Sequence, residues 1–338
     1  IFASSSKLDS HIRDMVQERG VKSVQYNGSM YVMKPVPELG FTVVAWATLK
    51  PLAETWHRQL LLWLPFGILI SLLAALFVLR ILRRIQSPRN RLLDAINSRD
   101  FVVHYQPIVA LCSGKIVGAE ALTRWPQPDG SSLSPDIFIP LAEQTGLISQ
   151  LTQLVIEKVF EDMGSWLHLH PDQHISINLA PADLTSGTLP PLLSHLLNKW
   201  KVHPGQIALE VTERGFADPK ISAPAIAAFR RSGHPVYIDD FGTGYSSLSY
   251  LQDLDVDTLK IDKSFVDALE YKNVTPHIIE MAKSLKLAMV AEGVETAGQL
   301  AWLHQHGVQY GQGWYYSKAL PKTEFILWAE NNLGTHAT

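Results

Sequence analysis

Carboxylates and amides recur where apolar, strand-like runs end along this chain. Glu120 closes the run Ile116–Leu122, and Asn178 closes Ser176-Ile177-Asn178. Glu210 closes Ala208-Leu209-Glu210 with Glu213 three residues on, and Asp239 and Asp240 follow Val236-Tyr237-Ile238. Lys260 sits near the end of Thr258–Ile261 with Asp262 after it. Glu292 closes Met289-Val290-Ala291, and Gln312 follows a last short run. Any one carboxylate in such a place is commonly a helix N-cap or part of a turn. As a set converging on one face they would repel strongly, since two like charges 4 Å apart cost about 4 kcal/mol at an effective dielectric near 20. Divalent cations relieve that repulsion, and an all-oxygen donor set favours Mg²⁺ or Mn²⁺ over zinc. Adjacent aspartates, Asp239 and Asp240, could bridge two ions. That arrangement suits in-line attack of a metal-bound water on a phosphodiester. Lys260 could hold the attacking water or stabilise developing charge, and Glu292 could help deprotonate that water.

Such convergence requires a scaffold that brings many strand ends to one mouth. Strand-like runs occur at 102–111, 116–122, 174–179, 206–211, 236–238, 258–261 and 288–291, with a short one near 308–310. Helical patterns lie between most of them, at 135–143, 147–166, 189–200, 223–231, 264–269, 274–285 and 296–306, with one more at 323–331. Eight strands interleaved with helices predict a (β/α)8 barrel, whose active sites lie at the C-terminal mouth. A doubly wound sheet is the alternative, but no Gly-rich phosphate loop follows the first strand. Only Cys112-Ser113-Gly114-Lys115 joins the first two runs. That is too short for a crossover, so this pair should be antiparallel.

The chain has 338 residues, with 29 Lys+Arg against 32 Asp+Glu, 46% hydrophobic and 18% charged. This excludes intrinsic disorder and gives no footprint for binding a nucleic-acid polymer. The lone Cys112 excludes an internal disulfide framework and a cysteine zinc cluster; a small buried thiol is the expectation for it. His168/His170 and His304/His306 form no metal-binding motif and read as surface or capping histidines.

Leu60–Leu79 is 20 residues without a charge, enough to cross a bilayer core of about 30 Å. Arg80, Arg83, Arg84, Arg89 and Arg91 follow it, so the C-terminal side should be cytoplasmic, with the arginines available to anionic lipid. Residues 1–57 would then be extracytoplasmic, periplasmic in a Gram-negative cell. They carry one helical pattern and a hairpin through 35–40, too little for an independent core. The expectation is the C-terminal remnant of a larger sensor domain. Asn27-Gly28-Ser29 reads as a turn rather than a glycosylation site. The expected organisation is therefore a small α+β remnant (1–57), a transmembrane helix (60–79), a linker helix (80–98) and a catalytic barrel (99–338).

The run Glu120-Ala121-Leu122-Thr123-Arg124-Trp125 resembles the signature of EAL-domain cyclic-di-GMP phosphodiesterases. So do Tyr105-Gln106-Pro107, Phe138-Ile139-Pro140, Asn178-Leu179, Glu210-Val211-Thr212-Glu213, 239–247 (DDFGTGYSS), Leu259-Lys260-Ile261-Asp262, 291–295 (AEGVE) and Gln312-Gly313. Their order and spacing span residues 101–321. The resemblance implies a modified (β/α)8 barrel with one antiparallel strand. It also implies hydrolysis of cyclic di-GMP to linear pGpG with a two-metal Mg²⁺ or Mn²⁺ site, and a homodimer formed through the barrel. It assigns Glu120, Asn178, Glu210 and Asp239 as metal ligands, Asp240 to a second metal, and Lys260 to the catalytic water. Glu292 becomes a ligand or general base, and Leu122, Arg124, Asp262 and Gln312 line the substrate site. Glu213 would order the loop from Asp240 to Ser247, which links the metal site to the dimer interface. Two positions depart from the pattern: Ala319 stands where proline is common, and Trp314 where tyrosine is usual. The arrangement also resembles membrane-anchored members with a periplasmic CSS-motif domain, although residues 1–57 contain no cysteine. A receptor that binds cyclic di-GMP or a protein without turnover is the alternative reading.

Overall fold

Short β-branched and apolar runs punctuated by Gly, Pro and Asp become strands, and the longer 3.6-period segments between them become helices. The computed structural model describes residues 9–17, 23–85, 87–212, 219–241, 255–269 and 274–333. Its contacts divide the chain into two units, residues 1–85 and 86–338.

The first unit holds α1 (Ser10–Gln17) and a meander of β1 (Ser23–Tyr26), β2 (Ser29–Val36) and β3 (Phe41–Thr48), all antiparallel. Asn27 and Gly28 both have positive φ, so Asn27-Gly28 forms the tight hairpin turn that the sequence suggests. Ile12 and Met33 are buried. α2 then runs from Lys50 to Ile85 with Pro65 inside it. Within α2, Thr55–Arg80 spans 26 residues at a mean hydropathy of 2.5, and none of its most apolar stretch is buried. It is long and apolar enough to cross a membrane.

The second unit begins with α3 (Pro88–Asn97), whose Leu92, Ala95 and Ile96 enter the core. The single linker helix expected over 80–98 is therefore two helical segments. The second packs with the barrel unit because proline and an apolar stripe start a new amphipathic helix there. β4 (Val102–Ala110), β5 (Ile116–Pro126) and the short β6 (Ser132–Leu133) follow, then α4 (Pro135–Thr145) and α5 (Ile148–Leu169). β7 (His174–Leu179), α6 (Leu189–Trp200), β8 (Ile207–Thr212), α7 (Pro219–Arg231) and β9 (Val236–Phe241) continue the alternation. Next come β10 (Thr258–Ile261), α8 (Lys263–Asp267), α9 (Val274–Ser284), β11 (Ala288–Ala291) and α10 (Ala297–Gln305). β12 (Tyr310–Gly311), β13 (Leu320–Pro321) and α11 (Lys322–Leu333) complete it.

The strands close in the order β4-β12-β11-β10-β9-β8-β7-β5 and back to β4, with β6 and β13 as short appendages. β4 runs antiparallel to both β5 and β12, and the other staves are parallel. This is the TIM-like eight-stave barrel with one reversed strand. Alternation along each stave assigns the two faces. Ile175, Ile177 and Leu179 of β7 are buried with the helix layer, as are Leu209 and Val211 of β8 and Leu259 and Ile261 of β10. Each fully buried aliphatic side chain contributes about 1.5–3 kcal/mol. The intervening residues, Ser176, Asn178, Ala208, Glu210 and Lys260, take the opposite face, toward the barrel axis.

Three further expectations are corrected. Glu120 does not end its strand, because β4 pairs alongside β5 as far as Arg124 and β6 pairs with Trp125 and Pro126. Asp239 and Asp240 likewise lie within β9 rather than after it. Cys112 is exposed, not buried, because the short β4–β5 turn lifts it off the core.

Candidate active site

Lys260 is the centre of the mouth. It is fully buried, and its Nζ lies 2.7 Å from Glu210 Oε2, 2.7 Å from Glu292 Oε1, 3.0 Å from Asp239 Oδ1 and 3.2 Å from Glu120 Oε2. The four carboxylates come from β5, β8, β9 and the residue after β11, and the lysine from β10. Parity explains the convergence: Asn178 pairs with Glu210, Thr212 with Asp239, and Lys260 with Val290 in the parallel ladders. Successive staves therefore present their inward residues at neighbouring heights.

Two amides fix Glu120. Asn178 Nδ2 donates to its Oε1 at 2.9 Å, and Gln312 Nε2 donates to its Oε2 at 2.7 Å. Gln312 reaches this position because Gly313 passes against the backbone of Val294, where an added Cβ would overlap the Val294 peptide. Val294 N donates to Gln312 O at 3.0 Å, and Tyr315 N to Val294 O at 2.9 Å, clamping that segment. Gly293, at φ +64, turns the chain after Glu292 where a Cβ would strike the Lys263 side chain.

Charge in this space is unbalanced. One ammonium faces four carboxyl groups, and the site resolves the excess by separating their affinities for protons. Burial alone would raise Glu120, but the Lys260 charge and the hydrogen bonds from Gln312 and Asn178 hold it below the ordinary glutamate range. Burial raises Glu210 well above that range despite Lys260, and the charges of Glu120 and Asp239 add to the rise. Burial likewise pushes Glu292 up to about 8, with Lys260 opposing and Asp239 and Glu120 reinforcing. For Lys260 burial works against the charged form, but the surrounding carboxylates outweigh it and hold the ammonium firmly protonated.

The donor set fits a hard divalent cation. Glu120, Glu210 and Asp239 each offer a carboxylate oxygen within 4.8 Å of the others. Glu210 Oε1 and Gln312 Oε1 are buried without a hydrogen-bond partner, and Asp239 Oδ1 has only the 3.0 Å approach of Lys260, outside hydrogen-bond geometry. Buried oxygens left open beside excess negative charge are what oxygen-seeking cations require.

The structure thus brings together Glu120, Asn178, Glu210, Asp239, Lys260, Glu292 and Gln312. Leu122 and Arg124 continue the inward face of β5. Arg124 is partly buried, which lowers its pKa against the opposing charge of Glu120, and its Nη1 donates to Thr123 O at 3.0 Å. Asp262 caps α8, accepting from Ser264 N at 3.0 Å. The Asp240 side chain, Glu213 and residues 242–247 lie outside the described residues. The paired histidines do sit at the ends of α5 and α10. His168, His170 and His306 each bond a backbone carbonyl through Nδ1, as capping histidines do.

Sequence reasoning passed over a second polar layer. Tyr237 Oη lies 3.1 Å from His174 Nε2, reaching across β8 on the side of the barrel opposite the mouth. Parity with Asp239 and Asn178 is the signal that places both residues inside the barrel.

Comparison with known proteins follows this geometry closely. A profile of the EAL domain matches residues 89–319. A probable cyclic di-GMP phosphodiesterase of Escherichia coli K12, PdeB, is 64% identical over 333 residues, covering 98% of this chain. The chain spans only 64% of that relative's length. A second E. coli protein described in the same terms, PdeG, is 37% identical over 77% of this chain and 54% of its own length. Among solved structures, the MucR phosphodiesterase in complex with c-di-GMP superimposes with a TM-score of 0.65 at 34% identity, covering 70% of this chain and 99% of that one.

Proposed function

The chain belongs to the EAL domain family, and on that footing we propose that its barrel hydrolyses cyclic di-GMP to linear pGpG. One observation carries the reading: a single buried lysine faces four carboxylates at the C-terminal mouth of the barrel, beside buried oxygens with no partner. Glu120, Asn178, Glu210 and Asp239 would hold one divalent cation, Mg²⁺ or Mn²⁺, and Asp240 and Glu292 would contribute to a second. Such ions supply charge neutralisation for a phosphodiester and lower the pKa of water. The chain's own residues do the rest. Asn178 and Gln312 hold Glu120 in one orientation, Lys260 stabilises negative charge developing at phosphorus, and Arg124 with Leu122 orients the substrate at the rim. Glu292, once ionised beside bound cation, would accept the proton of the attacking water. A P–O bond of the ring breaks, the water oxygen takes its place on phosphorus, and the departing oxygen gains a proton.

The remaining assignments belong to the same proposal. Thr55–Arg80 would cross the bacterial inner membrane with the barrel on the arginine-rich, cytoplasmic side, near anionic lipid. The small sheet unit would be periplasmic, and the barrel would pair as a homodimer, with Glu213 and the loop after Asp240 relaying between interface and site. The test is product analysis. Detergent-solubilised protein is incubated with cyclic di-GMP and Mg²⁺ or Mn²⁺, with and without EDTA. A linear dinucleotide formed only with metal supports the reading. Tight binding without product under every condition replaces it with a non-catalytic receptor.

A further inference from the structure

Among the described residues, Trp314 is the most exposed aromatic on the segment that follows Gln312, and the catalytic reading leaves it without a task. Its indole is 62% exposed. It follows Gln312 by two residues, on the segment that Val294 clamps, so its backbone is fixed at the rim beside the carboxylate cluster. Two ammonium groups attend it: Lys318 Nζ lies 4.4 Å and Lys263 Nζ 5.5 Å from the ring centroid. Lys263 opens α8 directly after β10, and Lys318 ends the loop whose Ser317 carbonyl accepts from Gln106 at 3.4 Å. Gln106 itself pairs with Glu120 across the β4–β5 ladder. The loop from Gln312 to Lys318 therefore curves around the mouth and sets an aromatic face and two cations at its edge.

An exposed indole costs solubility and adds nothing to the core, whereas beside a nucleotide site it gives a purine a face to stack on. Lys263 is ion-paired with Glu295, so Lys318 is the ammonium best placed to meet the other half of such a ligand, the phosphates. We propose that Trp314, flanked by Lys263 and Lys318, is a specificity-determining platform on which one purine of the substrate stacks. This rests on the phosphodiesterase reading and deepens it by assigning the wall that recognises the base. Stacking of a base on an aromatic ring is sequence-tolerant, and its loss on truncation to alanine is commonly several-fold to a hundredfold in affinity.

The experiment uses the full chain with cyclic di-GMP, measured by turnover with Mg²⁺ and, separately, by equilibrium binding without turnover in EDTA. Trp314→Ala should raise KM and the dissociation constant about tenfold while changing kcat less than threefold. Trp314→Phe should restore most of the loss, which a merely structural role would not require. Lys263→Ala and Lys318→Ala should weaken binding by a few-fold at low salt and less at high salt. KM and affinity unchanged within twofold in Trp314→Ala would overturn the platform and leave the phosphodiesterase reading intact. A fall in kcat at unchanged KM would also overturn it. A parent chain that neither binds nor hydrolyses cyclic di-GMP would overturn both.

Discussion

The two ends of the barrel interior solve opposite problems. At the mouth, four carboxylates crowd one lysine, and the charge excess is held in check only by divided proton affinities. At the far end, Tyr237 and His174 form a neutral pair. Burial lowers His174 to about 4, and burial with the nearby Glu210 charge raises Tyr237 above the ordinary phenol range. One layer is incomplete without a cation and the other is complete without one. A fold that tolerates both teaches that the instability of the mouth is local and is supported by an apolar shell of strands and helices.

Removing Lys260, the buried cation among the mouth's described residues, is the harshest way to break this contrast. Lys260→Met should destabilise the metal-free barrel by about 3–5 kcal/mol, since it strands buried carboxylates. For a domain of this size that is a fall in Tm of roughly 10 °C, read by calorimetry. Added Mg²⁺ should recover part of it. In the parent chain, divalent cation at a hundredfold excess over its Kd should stabilise by about 2.7 kcal/mol, and Glu210→Gln should abolish most of that gain.

A pH series sharpens the same comparison. Glu292 is raised to about 8, above its unfolded value, so its stabilising contribution is complete below the ordinary glutamate range and is lost as pH rises through about 8. His174 is lowered to about 4, below an unfolded value near 6.5. Its contribution is therefore present above that value and is lost as pH falls through about 4. Denaturant melts of metal-free protein should show stability declining at both ends. Glu292→Gln should lessen the alkaline limb, to which Glu210 also contributes, and His174→Gln should remove about 3 kcal/mol of the acid loss. Mg²⁺ should offset only the alkaline limb. The smallest effect is expected away from both layers: Cys112→Ser should change stability by less than about 0.5 kcal/mol, and the native thiol should react at once with a thiol reagent.

Much of the mouth was legible before any coordinates, because polar residues at the ends of apolar runs stand out against β-periodicity. His174–Leu179 and Leu189–Trp200 have the bounds that their patterns suggest. The reversed first strand followed from a connection too short to cross over. What local pattern could not carry was set by neighbours. β5 runs past Glu120 because β4 lies beside it, and α3 joins the barrel because its apolar stripe finds α4 and α5. The His174–Tyr237 pair joins residues from two staves separated by a third, a register that no single run encodes. Cys112 is exposed because a small side chain at a two-strand turn has no core to enter. Asp262 caps the helix that follows it, a role its spacing from Lys260 does not reveal.

In the proposed function, the crowded carboxylates at Lys260 form a divalent-cation site used for phosphodiester hydrolysis. The most direct measurement is Mn²⁺ binding followed alongside cyclic di-GMP turnover, in the parent chain and in Glu120→Ala. The parent should bind Mn²⁺ and form pGpG in proportion to occupancy, and Glu120→Ala should lose both while retaining its fold. Turnover that persists in EDTA, or that survives Glu120→Ala with Mn²⁺ binding unchanged, would contradict it.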